Sequence, residues 1–268
     1  MNFLLYWPAA AQTMFILIVF GGGSVAGLYL VRRIVPLEQL KKNHEIAGVT
    51  FGVVGAFYGL VIAFVIVAAW GRFDRANEQA HTEATALESL YKIGAALPEP
   101  VRTRLDSAVI AYTRRTVNEE YPEMASNAFP MKGEGADRLW QIVLSFTPSN
   151  AKEQMLTDHA IDELNQITWE RSLRILYYGS DLPSVVWVVI YLGCAITIGF
   201  GYFFGGNIFR SQALMCGIFS ILLGMTILAI LELAHPYQGV VTISDEPFRY
   251  ALARMQLFSA AYQIAPPP

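Results

Sequence analysis

Residues 48–70 read GVTFGVVGAFYGLVIAFVIVAAW, a run without a single charge. A hydrocarbon core about 30 Å thick takes about 20 mostly apolar residues in helical form, so this run predicts a membrane span. Three further runs pass the same test, at 12–31, 184–205 and 213–234. The composition agrees, with 54% apolar and only 15% charged residues. The 19 Lys and Arg against 22 Asp and Glu give a net charge of −3, without the basic surplus of a nucleic-acid binder. Met1–Ala11 holds no Lys or Arg, so the first run reads as a retained span and not a secretory signal. Cys194 and Cys216 both fall inside apolar runs, which leaves no disulfide framework and no paired-cysteine metal site.

Between the second and third spans the composition turns charged and amphipathic. Helical punctuation predicts helices over 73–97, stopped by Pro98, and over 99–120, stopped by Pro122. A short helix follows near 137–146, after the Gly- and Pro-bearing stretch 128–135. The run Thr147-Pro148-Ser149-Asn150 opens a last helix over 151–178 that Gly179 closes. No segment alternates with the period of a strand. The expected architecture is an all-α membrane protein of four transmembrane helices, with a helical bundle inserted between the second and third. Residues 1–70 hold two spans and a basic loop, 71–180 the bundle, 181–236 two more spans, and 237–268 a C-terminal tail ending in Pro266-Pro267-Pro268. Arg32, Arg33, Lys41, Lys42 and Arg210 in the short connections put those loops in the cytoplasm, and hence the bundle outside a bacterial inner membrane.

The second span carries Gly48, Gly52, Gly55 and Gly59 on one smooth face. Such a face either lets another helix approach closely or borders a pore. In the bundle, charges interrupt two apolar stripes: Glu83 lies in the stripe of 73–97, and Arg171 and Arg174 lie in that of 151–178. At 1.5 Å per residue Glu83 stands about 20 Å beyond Trp70 and Arg171 about 18 Å before Pro183, which brings them level if the two helices continue their spans antiparallel. The expected contact is Glu83 with Arg171 or Arg174, either a structural pair or a coupling device. Glu232 is the only carboxylate within the four runs, near the end of the fourth, with His235 close behind it and Asp245 and Glu246 following. It either reaches the headgroups or forms an acidic mouth that concentrates cations. His44, His81 and His159 show no metal-ligand spacing, and no catalytic motif occurs, so neither an enzyme nor a metal or other cofactor is expected.

Several stretches together resemble the bestrophin-like domain proteins of bacteria and plants. They are Asn43-His44-Glu45-Ile46-Ala47-Gly48, Tyr58-Gly59-Leu60-Val61-Ile62-Ala63-Phe64, Glu83-Ala84, Leu90-Tyr91, Glu120-Tyr121-Pro122, and the pair Arg171 and Arg174. Leu182-Pro183 with Trp187, Phe203-Phe204-Gly205 and His235-Pro236-Tyr237-Gln238-Gly239 complete the set, over about 43–250. The resemblance implies kinship with bestrophins, which are oligomeric ion channels, although the acidic calcium clasp of the animal members has no counterpart here. The reading that follows is a homo-oligomeric ion channel or transporter-like protein in contact with membrane lipid and inorganic ions, and the acidic mouth leans it toward cations. The alternatives are a membrane-anchored sensor or scaffold whose bundle binds a protein partner, and a stator-like subunit of a proton-driven complex.

Overall fold

The computed structural model describes residues 2–42, 44–126, 128, 135–204 and 208–264. Asn43, Gly205, the Pro266–Pro268 end and most of the expected 128–135 loop lie outside them. The described elements are all helical: α1 (Ala9–Ile16), a π-helical turn (Leu17–Gly22), α2 (Gly23–Ile34), α3 (Leu37–Lys42), α4 (His44–Ala95), α5 (Val101–Arg115), a second π-helical turn (Thr116–Glu120), α6 (Tyr121–Ala125), α7 (Gly135–Leu144), α8 (Ala151–Gly179), α9 (Ser184–Tyr202), α10 (Phe209–Ala234) and α11 (Glu246–Ile264). Among the described residues, four stretches are long and apolar enough to cross a membrane: Ala9–Ile34, Ala47–Ala95, Ser184–Tyr202 and Phe209–Ala234. The chain divides into two compact units, and α4 contributes to both.

The first unit holds Met1–Arg72, Asp181–His235 and Gly239–Val241. Its first rod packs along α10, where Ser24 Oγ donates to the Cys216 carbonyl at 3.3 Å. Arg32 donates to Gln212 Oε1, and its guanidinium lies 5.4 Å from the Phe209 ring centroid. The span part of α4 packs against α9 through Tyr58 and Ile62, which join Ile190, Cys194, Ile227 and Ile230 in one buried cluster. Tyr58 donates its hydroxyl to the Ile190 carbonyl at 2.7 Å, and its ring lies close against Gly193 of α9. A Cβ on Gly193 would fall far inside van der Waals contact with that ring.

The second unit holds Phe73–Ser180, Pro236–Gln238 and Thr242–Pro268. Its core is apolar and continuous, with Leu87, Leu90, Leu105, Val109, Leu139, Leu164, Ile167 and Phe248 all withdrawn from solvent. Helix α8 starts at Asn150, whose side chain accepts from the Glu153 N–H at 2.9 Å while the Glu153 carboxylate reaches back to the Ser149 N–H at 2.7 Å. Pro148 stands outside the helix.

Two further expectations change. Residues 237–268 are not a tail, because α11 buries Phe248, Ala251 and Met255, one helical face, in the core of the second unit. Pro122 does not stop a helix: the backbone stays helical from the π turn into α6, where Pro122 is the second residue. Gly179 closes α8 as expected, and Ser180–Pro183 is irregular before α9, since Pro183 excludes the residue before it from helical geometry.

Candidate functional site

Four ionised side chains meet inside the second unit. Glu83 comes from α4, Glu120 from the π-helical turn after α5, and Arg171 and Arg174 from successive turns of α8. Arg174 donates from Nε to Glu83 Oε2 at 2.9 Å and from Nη2 to Glu83 Oε1 at 3.2 Å. The same Nη2 donates to Glu120 Oε2 at 2.7 Å, and Arg171 Nη2 donates to Glu120 Oε1 at 2.8 Å. Tyr112 adds its hydroxyl to Glu83 Oε1 at 2.7 Å. Glu83 and Arg174 are 0% exposed and Glu120 is 5% exposed. The Arg174 guanidinium also lies 5.7 Å from the ring centroids of both Tyr121 and Phe248, so aromatic faces meet a part of the cation that the carboxylates leave uncovered.

Two acids and two bases balance, which is what lets so many charges stay dry. Burial alone would raise the Glu120 carboxyl, but Arg174 and Arg171 outweigh it and hold it below the usual range. Burial likewise works against the Arg174 charge, and Glu83 with Glu120 keep it firmly protonated. Tyr112 is pushed up by burial first and by the neighbouring Glu83 charge second, so it stays a donor. The expected contact of Glu83 is therefore with Arg174, while Arg171 pairs with Glu120. Sequence reasoning named Glu120 only within the stretch Glu120-Tyr121-Pro122, without a partner, and passed over Tyr112. The place of Glu120 depends on the wider π turn over 116–120, which shifts the register of the side chains from there on and has no signature in the sequence.

In the first unit Glu232 ends α10 at 5% exposure. Its Oε1 accepts from Gln12 Nε2 at 2.7 Å, and its Oε2 accepts from the N–H groups of Val240 and Val241 at 2.8 and 3.1 Å. Gln12 donates also to the Leu4 carbonyl at 3.0 Å, so the carboxylate fastens the N-terminal segment and the loop after α10 to the end of the helix. Gly239 makes that loop possible: its φ is +91°, and a side chain there would collide with Glu232. His235 places Nδ1 2.9 Å from the Leu231 carbonyl and Nε2 3.8 Å from Asp181 Oδ2. Asp245 pairs with Arg249 on α11.

The glycine face of α4 is open. A Cβ built on Gly52, Gly55 or Gly59 would meet nothing within 4 Å among the described residues, and one on Gly48 would touch only the Phe204 ring at 3.9 Å. Beside this strip runs a row of large exposed apolar side chains, Val49, Val53, Phe57, Leu60, Phe64 and Val67. Among the described residues no His, Cys, Asp and Glu converge in the threes or fours that a metal ion needs.

Comparison with known proteins is consistent across the chain. The family model of the bestrophin-like domain matches residues 18–248. Solved variants of a bacterial bestrophin homologue from Klebsiella pneumoniae share the fold: one superposes with a TM-score of 0.66 at 12% identity, covering 91% of this chain and 99% of the other. A second gives 0.65 at 13% identity, covering 92% and 99%. A search of curated proteins finds no match. With four apolar spanning helices, an all-helical fold and a family match over most of its length, the chain is an integral membrane protein that belongs to the bestrophin-like family.

Proposed function

We propose that the chain assembles into a homo-oligomeric, non-enzymatic ion channel whose pathway is bordered by the glycine face of α4. The observation that carries this reading is the open strip of Gly52, Gly55 and Gly59 on a spanning helix of a bestrophin-like fold. A helix that uses one face to pack on its own chain and leaves a smooth face bare is suited to a water-filled axis or to a second copy. The lean toward cations rested on an acidic mouth at Glu232. That carboxylate is engaged by three donors of its own chain, so it no longer favours either sign of ion. His235 is left as the mouth residue of this reading, and the buried Glu83, Glu120 and Arg174 with the half-buried Arg171 serve as a rigid joint within the second unit. The Lys and Arg balance of the loops puts that unit on the outer side of a bacterial inner membrane. Impermeant labelling of Ser107→Cys on intact spheroplasts checks it, and label only after permeabilisation reverses the orientation.

The test is ion flux into liposomes containing only this protein, under potassium, calcium and chloride gradients. Selective flux that Gly55→Leu abolishes while the oligomer persists supports the pathway. Absence of flux from a folded oligomer overturns it in favour of a scaffold that binds a partner.

A further inference from the structure

A second feature of the helical unit lies away from its buried ion pairs. Helices α5 and α7 pack through Leu105 and Leu139, both 0% exposed, and the residues just before these anchors are Arg104 and Arg138. The two arginines therefore emerge along one seam. Between the helices runs a groove of about 500 Å³, to which α5 contributes Thr103, Arg104 and Ser107 and α7 contributes Arg138, Gln141 and Ser145. Ile142, largely buried, supplies its apolar floor.

We propose that this groove binds a soluble ligand bearing phosphate groups. No acid lines it, and among the described residues neither Arg104 nor Arg138 is paired with a carboxylate. Like charges brought to one seam repel, and a bound anion turns that repulsion into attraction for both. Glu99 stands at the margin, with its carboxylate occupied by the Thr103 N–H at 3.3 Å and the Thr103 hydroxyl at 2.8 Å. Ser107 and Ser145 donate to the carbonyls of Thr103 and Ile142. The free donors are thus the two guanidinium forks and the Gln141 amide. Guanidinium forks match phosphate oxygens in pairs, and the size suits a diphosphate or a nucleotide. The polar lining disfavours an apolar ligand.

The test is calorimetric titration of the full chain in phosphatidylcholine nanodiscs with pyrophosphate, ATP and adenosine, beside vesicle binding with and without phosphatidylglycerol. Expected is saturable binding of pyrophosphate or ATP but not of adenosine. Losing two charged donors should weaken it about tenfold or more in the Arg104→Ala, Arg138→Ala double variant. Arg138→Lys should recover part of the loss, and Arg114→Ala, an exposed arginine of α5 outside the groove, should change nothing. Both arginines are exposed, so the variants should keep the wild-type melting temperature, which is measured alongside. Absence of saturable binding overturns the proposal, as does equal weakening by Arg114→Ala. Binding confined to phosphatidylglycerol vesicles overturns it in favour of a lipid headgroup. None of these readouts depends on ion flux.

Discussion

Arg174 keeps its charge at zero exposure because two carboxylates and two aromatic rings surround it. Removing it strands Glu83 and Glu120 in the core. Arg174→Met should therefore cost about 3–5 kcal/mol of folding stability, and adding Glu83→Gln should return part of it, as read by denaturant unfolding. Strict additivity of the two losses would count against the pair. Asp106, on α5, is set the other way: burial raises its carboxyl to about 6, the Arg102 charge opposes the rise and Glu99 adds to it. A carboxyl raised in the folded state contributes stability that is fully present below its unfolded value of about 3.9 and lost as pH rises through about 6. Asp106→Asn should thus raise the melting temperature at about pH 7.5 and give little gain at about pH 4. A gain that does not vary with pH would refute the assignment. Glu120, held low, has the opposite sign, and its contribution fades as pH falls through its depressed value. Glu83 and Arg174 stood out in the sequence as charges inside apolar stripes. Glu120 did not, since only the fold reveals that it points inward.

At the scale of elements, spans and helix caps follow local chemistry, whereas the close fits between helices do not. The contact of α4 with α9 depends on Gly193, which leaves room for the Tyr58 ring. Gly193→Ala should lower the stability of the first unit by about 1–3 kcal/mol, and Tyr58→Leu in the same chain should relieve most of that cost, as a double-mutant cycle in thermal unfolding would measure. Equal losses in both backgrounds would show that the ring is not the obstacle. Helix α11 was legible in principle, because Phe248, Ala251 and Met255 repeat at helical spacing. The Pro-rich run beyond it made the whole segment read as an end. The π turn at 116–120 had no such signal, as its extra residue is stabilised by what Glu120 reaches and not by the local residues.

At the scale of the whole molecule, the bare faces of the spanning helices call for lipid or for further copies of the chain. If the glycine strip of α4 lies near an axis, Gly52→Cys in a chain with Cys194→Ala and Cys216→Ala should cross-link to dimers under mild oxidation in membranes. Monomer bands alone would place the strip toward lipid and count against the proposed pathway. The sequence by itself determined the number and place of the spans, the all-helical class and most helix limits. These are properties of composition and periodicity, written along the chain within a few turns. The tertiary structure decided which charge meets which. Glu83 takes Arg174, Arg171 takes Glu120, and Glu232 turns to Gln12 and two backbone N–H groups. The side-chain pairings among these join residues 51 to 220 positions apart, and they gain strength where water has been excluded between them.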